Sequence, residues 1–170
     1  RYSTLLKGIR DGSDANVIYA YGCKIAGEKQ AYWAEQYERE AIIAAEKADV
    51  VIMCMGLNPS MEGEEGDAYN GTASGDKLSL ELPKTQQILY NEIIKLGKPV
   101  IFINVSGSCL NLKRQKDECA AIIQCFYPGA EGGNALADIL FGKCSPSARL
   151  PVTFYESVDD LPDFEDYSMK

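Results

Sequence analysis

The run DVVIMCMG at residues 49–56 decides the fold class, because it is an unbroken apolar segment of strand length rather than an alternating one. A strand of this kind is buried on both faces, as parallel sheets covered by helices require. Two further runs share the pattern, at 99–105 (PVIFINV) and 121–126 (AIIQCF). The three runs predict neighbouring strands of one parallel sheet.

Helical segments alternate with these strands. From residue 30 to residue 48, small apolar and aromatic side chains recur three or four positions apart, a spacing that lays one face of a helix on a sheet. A second helix is expected over 85–95, with Thr85 as its candidate cap. Two more helices are expected, one at 113–119 and one that runs from the turn at 128–133 to about residue 141.

This alternation predicts an α/β domain, a three-layer α/β/α sandwich around a mainly parallel, flavodoxin-like sheet. Two outer segments are expected to add strands. Residues 17–21 (VIYAY) are β-branched and aromatic. Residues 150–154 (LPVTF) suit an edge strand, because Pro151 cannot donate to a ladder. The prediction allows this one edge strand to be antiparallel. The length of 170 residues suits a single domain over 1–170.

Composition disfavours several classes of function. Lysine and arginine number 17 against 25 aspartates and glutamates, and the net charge of −8 opposes binding to nucleic acid. No apolar run approaches the roughly 18 residues that span a bilayer, so no membrane segment is expected. The chain has no histidine, which removes the usual zinc sites and the histidine-dependent catalytic pairs. We expect no metal and no cofactor.

The cysteines carry little functional signal. The six cysteines form no C-x-x-C pair, and Cys54 and Cys125 lie inside apolar runs, where a free thiol commonly packs as a small hydrophobe. We expect the thiols to be reduced and buried. The compartment stays open, with a cytoplasmic location slightly favoured.

The loop that follows the first buried strand is unusually acidic, with Glu62, Glu64, Glu65 and Asp67 in four of six positions. Ligands of open parallel sheets bind at the carboxyl ends of the strands, where this loop begins. Crowded carboxyl groups raise one another's pKa, so one of them can hold a proton near neutral pH and deliver it as a general acid. A merely solvated loop and a calcium site are the alternatives, although the spacing does not match the EF-hand loop.

Two other turns follow buried strands. Ser106 lies after the second strand at the same edge of the sheet; without a base it is no nucleophile, and its hydroxyl is expected either to bind a polar ligand or to cap the next helix. The turn at 128–133 (PGAEGG) precedes a helix but lacks the Gly-x-Gly-x-x-Gly spacing, and Glu131 would repel an anion. We expect a tight turn there rather than a phosphate site.

Four ordered segments carry a resemblance to a known family. They are GLNPSMEGEEGDAYNGTASGDKLSLELPKTQQILYNEI at 56–93, GKPVIFINVSGSCLNL at 97–112, CFYPGAEGGNALADILFGKCSPSARLPVTF at 125–154 and DLPDFEDY at 160–167. Over about residues 5–167, the chain resembles the carboxyl-terminal α/β sandwich domain of glycoside hydrolase family 3, the β-glucosidases and β-xylosidases. The resemblance supports the same sandwich fold.

The resemblance implies half of an active site. In that family an amino-terminal (β/α)8 barrel carries an aspartate nucleophile, and the sandwich domain supplies the general acid/base. Matching the family's Glu-Gly or Glu-Ala-Glu-Gly segment to MEGEEG favours Glu64 as that residue, with Glu62 as its rival. Glu65 and Asp67 would then raise the pKa of the acid or hold sugar hydroxyls, and Ser106 is the further candidate for substrate binding.

One departure from the family pattern concerns the end of the loop. The family commonly has Gly-Asp-Arg where this chain has Gly75, Asp76 and Lys77, which keeps a positive charge but loses the bidentate fork of arginine.

The resemblance predicts a retaining, exo-acting β-glycosidase of β-linked glucosides or xylosides once the domain is joined to its barrel. The chain itself has no room for a barrel, so it is expected to be a fragment that is inactive alone. The alternative is a non-catalytic sugar-binding or scaffolding domain. A nucleotide-binding or signalling domain is disfavoured by the missing phosphate loop. A homo-oligomer remains open.

Overall fold

The computed structural model describes residues 2–27, 31–62, 77–163 and 165–168, with the side chains of all of these except 31–34. Within these ranges the central sheet has three parallel strands, in the order β1 (Val51–Gly56), β2 (Val100–Val105) and β3 (Ala121–Gln124). The strands are the three continuous apolar runs of the sequence. The predicted parallel sheet is therefore confirmed.

Helices surround the sheet. In the described part of the chain they are α1 (Leu5–Gly12), α2 (Ala31–Lys47), α3 (Lys84–Ile94), α4 (Lys113–Glu118) and α5 (Gly132–Leu140). The four helices from α2 to α5 confirm the helical predictions to within a few residues at their ends. The first helix was not predicted; Thr4 caps it, since its hydroxyl oxygen accepts a hydrogen bond from the backbone N–H of Lys7 at 3.2 Å.

The two faces of the sheet carry separate apolar cores, which confirms the three-layer sandwich. On one face, side chains of α2 and α3 pack on Met53, Met55 and Phe102, and Phe102 is fully buried. On the other face, Ile9 of α1 and Leu136 of α5 pack on Ile103 of β2. The alternation of side chains along β2 explains this division, because successive residues of a strand point to opposite faces.

The helices α1 and α5 cross in very close contact at a glycine. A Cβ atom at Gly8 would lie 1.9 Å from the backbone oxygen of Gly133, so any larger residue would force the helices apart. Absence of a side chain at this position lets Ile9 and Leu136 reach the same patch of the sheet.

Three sequence-based predictions of local structure were wrong. Residues 17–21 and 150–154 join no ladder among the described residues, so neither is a strand and the described sheet has no antiparallel edge member. Both segments have suitable residue types, but a strand also needs a pairing partner. Thr85 does not cap α3, because Pro83 occupies that position and the Thr85 hydroxyl donates to the carbonyl of Lys24 at 3.0 Å.

The cysteines differ from expectation in their burial. All six are free, but Cys54 is exposed and Cys125 is half-buried, so the prediction that both are buried was wrong. Cys125 packs at the edge of the cluster of Ile9, Ile103 and Leu136, and Cys54 points to the same face of the sheet because its neighbours Met53 and Met55 pack on the other. No helix in the described ranges is long and apolar enough to cross a membrane.

Candidate functional site

The loops after the three strands meet at one edge of the sheet. Glu62 follows β1 through the short 3-10 helix Pro59–Met61, Gly107 and Ser108 follow β2, and Tyr127 follows β3. Parallel strands bring their carboxyl ends to the same edge, which is where open α/β sheets bind ligands. The acidic loop therefore begins at the predicted place.

The Glu62 carboxylate is the centre of this edge. Its Oε2 accepts a hydrogen bond from the backbone N–H of Gly107 at 2.9 Å, and its Oε1 accepts one from the N–H of Ser108 at 3.0 Å. The hydroxyl groups of Ser108 and Tyr127 also donate to it. Four donors from two different loops thus converge on a single carboxylate.

These donors determine the protonation of Glu62. Partial burial by itself would raise its pKa, but the hydrogen bonds from Ser108, Tyr127 and the two backbone amides outweigh burial and hold the pKa below its ordinary value. Glu62 is therefore ionised at neutral pH. A carboxylate in this condition accepts hydrogen bonds and is poorly suited to donate a proton.

The backbone before Tyr127 has an unusual conformation. Phe126 has a φ of 52°, in the left-handed region that a bulky residue rarely adopts. Tyr127 follows directly, and its hydroxyl group donates a hydrogen bond to the Glu62 carboxylate. The pKa of Tyr127 is raised, first by burial and then by the hydrogen bond to Glu62 and by the negative charge of that residue. Strained backbone of this type concentrates at functional sites.

Lys77 lies beside the same group of residues. Its ammonium donates to the backbone carbonyl of Cys109, the residue after Ser108. Burial lowers the pKa of Lys77, while the charge of Glu62 acts in the opposite direction. The thiol sulfur of Cys109 in turn accepts a hydrogen bond from the backbone N–H of Tyr155 at 3.2 Å.

A buried polar network supports the 106–109 turn from below. Ser106 is fully buried; its hydroxyl donates to the carbonyl of Ser108 at 2.9 Å and accepts from the Asn104 amide, also at 2.9 Å. The same Asn104 amide donates to Gln124 Oε1 at 2.6 Å, and the Gln124 amide donates to the carbonyl of Ser106 at 3.1 Å. The Oδ1 atom of Asn104 is buried with no hydrogen-bond partner among the described residues. The network joins β2 and β3 beneath the Glu62 contacts.

The predicted site residues are only partly described. Glu62 lies at the edge of the sheet, whereas Glu64, Glu65 and Asp67 fall outside the described residues, so their roles stay predictions. Ser106 neither faces solvent nor caps α4, whose N-cap is Leu112. A direct contact from Ser106 to a sugar remains a prediction that its burial disfavours.

Sequence reasoning missed Ser108 and Tyr127 as donors to Glu62 and the contact of Lys77 with the Cys109 carbonyl. The signal for Tyr127 was its place directly after a buried strand, but an aromatic residue there reads first as core. Among the described residues, no cluster of three or more cysteine, aspartate or glutamate side chains could hold a metal ion.

The described fold is a three-layer α/β sandwich with a polar site at the carboxyl edge of its parallel sheet. The whole chain, residues 1–170, matches the family model described as glycosyl hydrolase family 3 C-terminal domain. The chain belongs to that family.

Related proteins agree with the family. The chain is 46% identical over 133 residues to a xylan 1,4-beta-xylosidase of Xylanibacter ruminicola, covering 78% of this chain and 15% of the relative. It is 32% identical to a periplasmic beta-glucosidase of Salmonella typhimurium, covering 94% of this chain and 22% of that protein. A solved β-glucosidase structure from Erythrobacter marinus superposes with a TM-score of 0.81 at 31% identity, over 95% of this chain and 24% of that one. The chain thus spans a small part of longer proteins.

Proposed function

We propose that this domain belongs to a retaining, exo-acting β-glycosidase that hydrolyses β-glucosides or β-xylosides, and that it supplies the general acid/base of that enzyme. The proposal rests on family membership and on one observation: Glu62, the first carboxylate of the acidic loop, is bound at the carboxyl edge of the sheet. The loop therefore leaves from the edge where substrates of such folds bind. The barrel with its aspartate nucleophile is the partner that the family implies.

Within the acidic loop, we assign the proton donor to Glu64. A general acid must be protonated at the working pH, so its pKa has to lie near that pH. Glu62 does not meet this requirement, because its hydrogen bonds lower its pKa. Glu64 is the next carboxyl group of the segment and the one favoured by the family motif, while Glu65 and Asp67 are proposed to raise its pKa or to hold sugar hydroxyls.

The proposed reaction has two steps. In the first, the barrel aspartate attacks the anomeric carbon, the glycosidic C–O bond breaks, and Glu64 gives its proton to the leaving oxygen. In the second, ionised Glu64 takes a proton from water as the water oxygen attacks the same carbon and releases the aspartate. The sugar keeps its configuration, and Glu64 is protonated again.

The test uses the domain joined to its barrel. With 4-nitrophenyl β-glucoside or β-xyloside, Glu64→Ala should lower kcat/KM by about 10² to 10⁴, the usual contribution of general acid catalysis. The loss should be smaller with a 2,4-dinitrophenyl glycoside, whose leaving group needs no proton. Azide should then accelerate turnover of that substrate and yield a β-glycosyl azide, because azide attacks the intermediate without a base.

Two results would contradict the assignment. If Glu64→Ala keeps the parental rate while Glu62→Ala shows the leaving-group dependence and azide rescue, the proton donor is Glu62. If neither variant shows this behaviour, the acid/base does not lie at these positions. The exposed Glu46, near the end of α2 and just before β1, provides the control variant Glu46→Ala, which should keep parental kinetics.

A further inference from the structure

The two described residues that flank the acidic segment 63–76 both bond to one short turn. Glu62, the last described residue before the segment 63–76, accepts hydrogen bonds from the N–H groups of Gly107 and Ser108. Lys77, the first described residue after it, donates to the carbonyl oxygen of Cys109. The two attachments thus occupy three consecutive residues of the turn after β2.

We propose that Glu62 and Lys77 are a pair of positioning residues that fasten the acidic segment to the 107–109 turn. This inference rests on the proposed function, in which that segment carries the proton donor. Neither residue is proposed to touch the reacting atoms. Their effect on the rate passes through the position of the segment between them.

The Glu62 attachment is built from strong contacts. Hydrogen bonds to an ionised carboxylate are shorter and roughly twice as strong as those between neutral groups. Gly107 makes the approach of its partners possible, since a Cβ at that residue would lie 2.9 Å from the Tyr127 ring and 3.2 Å from Glu62 Oε2. The strained backbone at Phe126 places the Tyr127 hydroxyl on the same carboxylate.

The turn itself is fixed to the sheet. Ser106 is fully buried, and its hydroxyl donates to the carbonyl of Ser108. The Gln124 side-chain amide donates to the carbonyl of Ser106. An anchor is effective only when the residues behind it are held by packing and hydrogen bonds of their own. The buried network thus joins the attachments of Glu62 and Lys77 to strands β2 and β3.

A positioning role has a kinetic consequence that differs from proton donation. A misplacement of about 1 Å by a residue far from the chemistry can cost about 10² in rate. Because the segment that moves carries the proton donor, such a loss is larger for a leaving group that needs a proton than for one that does not, but smaller than the loss on removing the donor. Azide restores none of it, because the carboxylate of Glu64 is still present.

The first test measures the anchor directly. In the domain joined to its barrel, hydrogen exchange of the Gly107 and Ser108 amides is followed by mass spectrometry in the parent, in Glu62→Ala and in Glu46→Ala. Loss of the acceptor should speed exchange of these two amides at least tenfold in Glu62→Ala and leave Glu46→Ala at the parental rate. Unchanged exchange in Glu62→Ala would overturn the proposal.

The second test measures kcat/KM with 4-nitrophenyl and 2,4-dinitrophenyl glycosides. With the 4-nitrophenyl glycoside, Glu62→Ala and Lys77→Met should each lose about 10 to 10²-fold. With the 2,4-dinitrophenyl glycoside the loss should be smaller, and azide should yield no β-glycosyl azide. Lys77→Arg, which keeps the charge, should recover most of the rate. The double variant should lose less than the product of the single losses, because the two residues hold the same segment.

Tyr127→Phe keeps the aromatic ring and removes one donor to Glu62, so it tests the same contact if Glu62→Ala fails to fold. It should change exchange and rate in the same direction as Glu62→Ala, but less. Azide rescue of Glu62→Ala with formation of a β-glycosyl azide would overturn the positioning role and identify Glu62 as a proton donor. If Glu64→Ala is fully active while the anchor variants behave as expected, the anchor stands and only the assignment of the donor fails.

Discussion

Gln86 of α3 and Gly56 at the end of β1 exchange two hydrogen bonds. The backbone N–H of Gly56 donates to Gln86 Oε1 at 2.8 Å, and the Gln86 amide donates to the Gly56 carbonyl at 2.6 Å. The same amide donates to the carbonyl of Ile25 at 2.7 Å. The Gln86 residue is only 2% exposed. Its side chain therefore connects the last residue of β1 to α3 and to the carbonyl of Ile25.

Gln86→Ala should lower the free energy of unfolding by about 2 to 4 kcal/mol, because it removes three hydrogen bonds and leaves buried backbone groups without partners. Urea unfolding followed by circular dichroism measures this change. The matched control is Gln36→Ala, which removes an exposed glutamine bonded to Glu40 and should change stability by about 0.5 kcal/mol or less. Equal losses in the two variants would contradict the role assigned to Gln86.

Gly56 should tolerate no side chain. Its φ is 134°, and a Cβ would lie 2.0 Å from the carbonyl oxygen of Val105, which already accepts the N–H of Leu57 at 2.7 Å. Gly97 also has a positive φ, of 65°, but a Cβ there meets nothing within 4 Å. We expect Gly97→Ala to cost about 1 kcal/mol from backbone strain alone.

Gly56→Ala adds the collision to the strain, so it should cost at least about 2 kcal/mol more than Gly97→Ala. Thermal and urea unfolding of the two variants measure the difference. Similar stabilities would show that the end of β1 can move away from Val105.

The parts of the fold that were predicted correctly are those with strong local signals. Continuous apolar runs identified all three strands, and helical spacing identified α2. Two strands were predicted incorrectly, at 17–21 and 150–154, and they show the limit of this approach. Their residues favour extended backbone, but pairing depends on a partner that is distant in sequence, and no ladder forms there within the described ranges. The helix α1 is short, and its crossing with α5 depends on Gly8, a contact without local signature.

The site was predictable as a location rather than as a set of contacts. Strand order places the loops after β1 and β2 at one edge, so the position of Glu62 followed from topology. The convergence of Ser108 and Tyr127 on that carboxylate depends on backbone geometry at 126–127, which residue types do not indicate. Ser106 illustrates the same limit: its hydroxyl was expected either to bind a polar ligand or to cap the next helix, but it is buried beneath the turn.

The contribution of Glu62 to stability should depend on pH. Hydrogen bonds lower its folded pKa from the ordinary value for glutamate, so ionisation stabilises the folded state. The stabilisation is complete above the unfolded pKa and is lost as the pH falls through the lowered folded pKa.

The free energy of unfolding of the parent should therefore exceed that of Glu62→Gln by a constant amount down to about pH 5, and the difference should shrink below about pH 4. Urea unfolding at several pH values measures it. Gln36→Ala removes no titrating group and should differ from the parent by the same amount throughout. A difference for Glu62→Gln that grows as the pH falls would contradict the lowered pKa.

Ser106→Ala should weaken the turn that holds Glu62. The substitution removes the hydroxyl that donates to the Ser108 carbonyl and accepts from Asn104, so a loss of about 1 to 2 kcal/mol in the free energy of unfolding is expected. Ser60→Ala is the control, because within the described part of the chain its hydroxyl bonds the nearby Asn58 side chain, at 2.7 Å, and no other group. Stability alone would not connect Ser106 to Glu62.

A double-mutant cycle makes that connection. If the buried hydroxyl fixes the Ser108 amide in place for Glu62, the loss in Ser106→Ala combined with Glu62→Gln should fall short of the sum of the single losses by at least about 0.5 kcal/mol. The combination of Ser60→Ala with Glu62→Gln is the matched comparison. Strict additivity in the Ser106 cycle would mean that the network beneath the turn stabilises the sheet without holding the carboxylate above it.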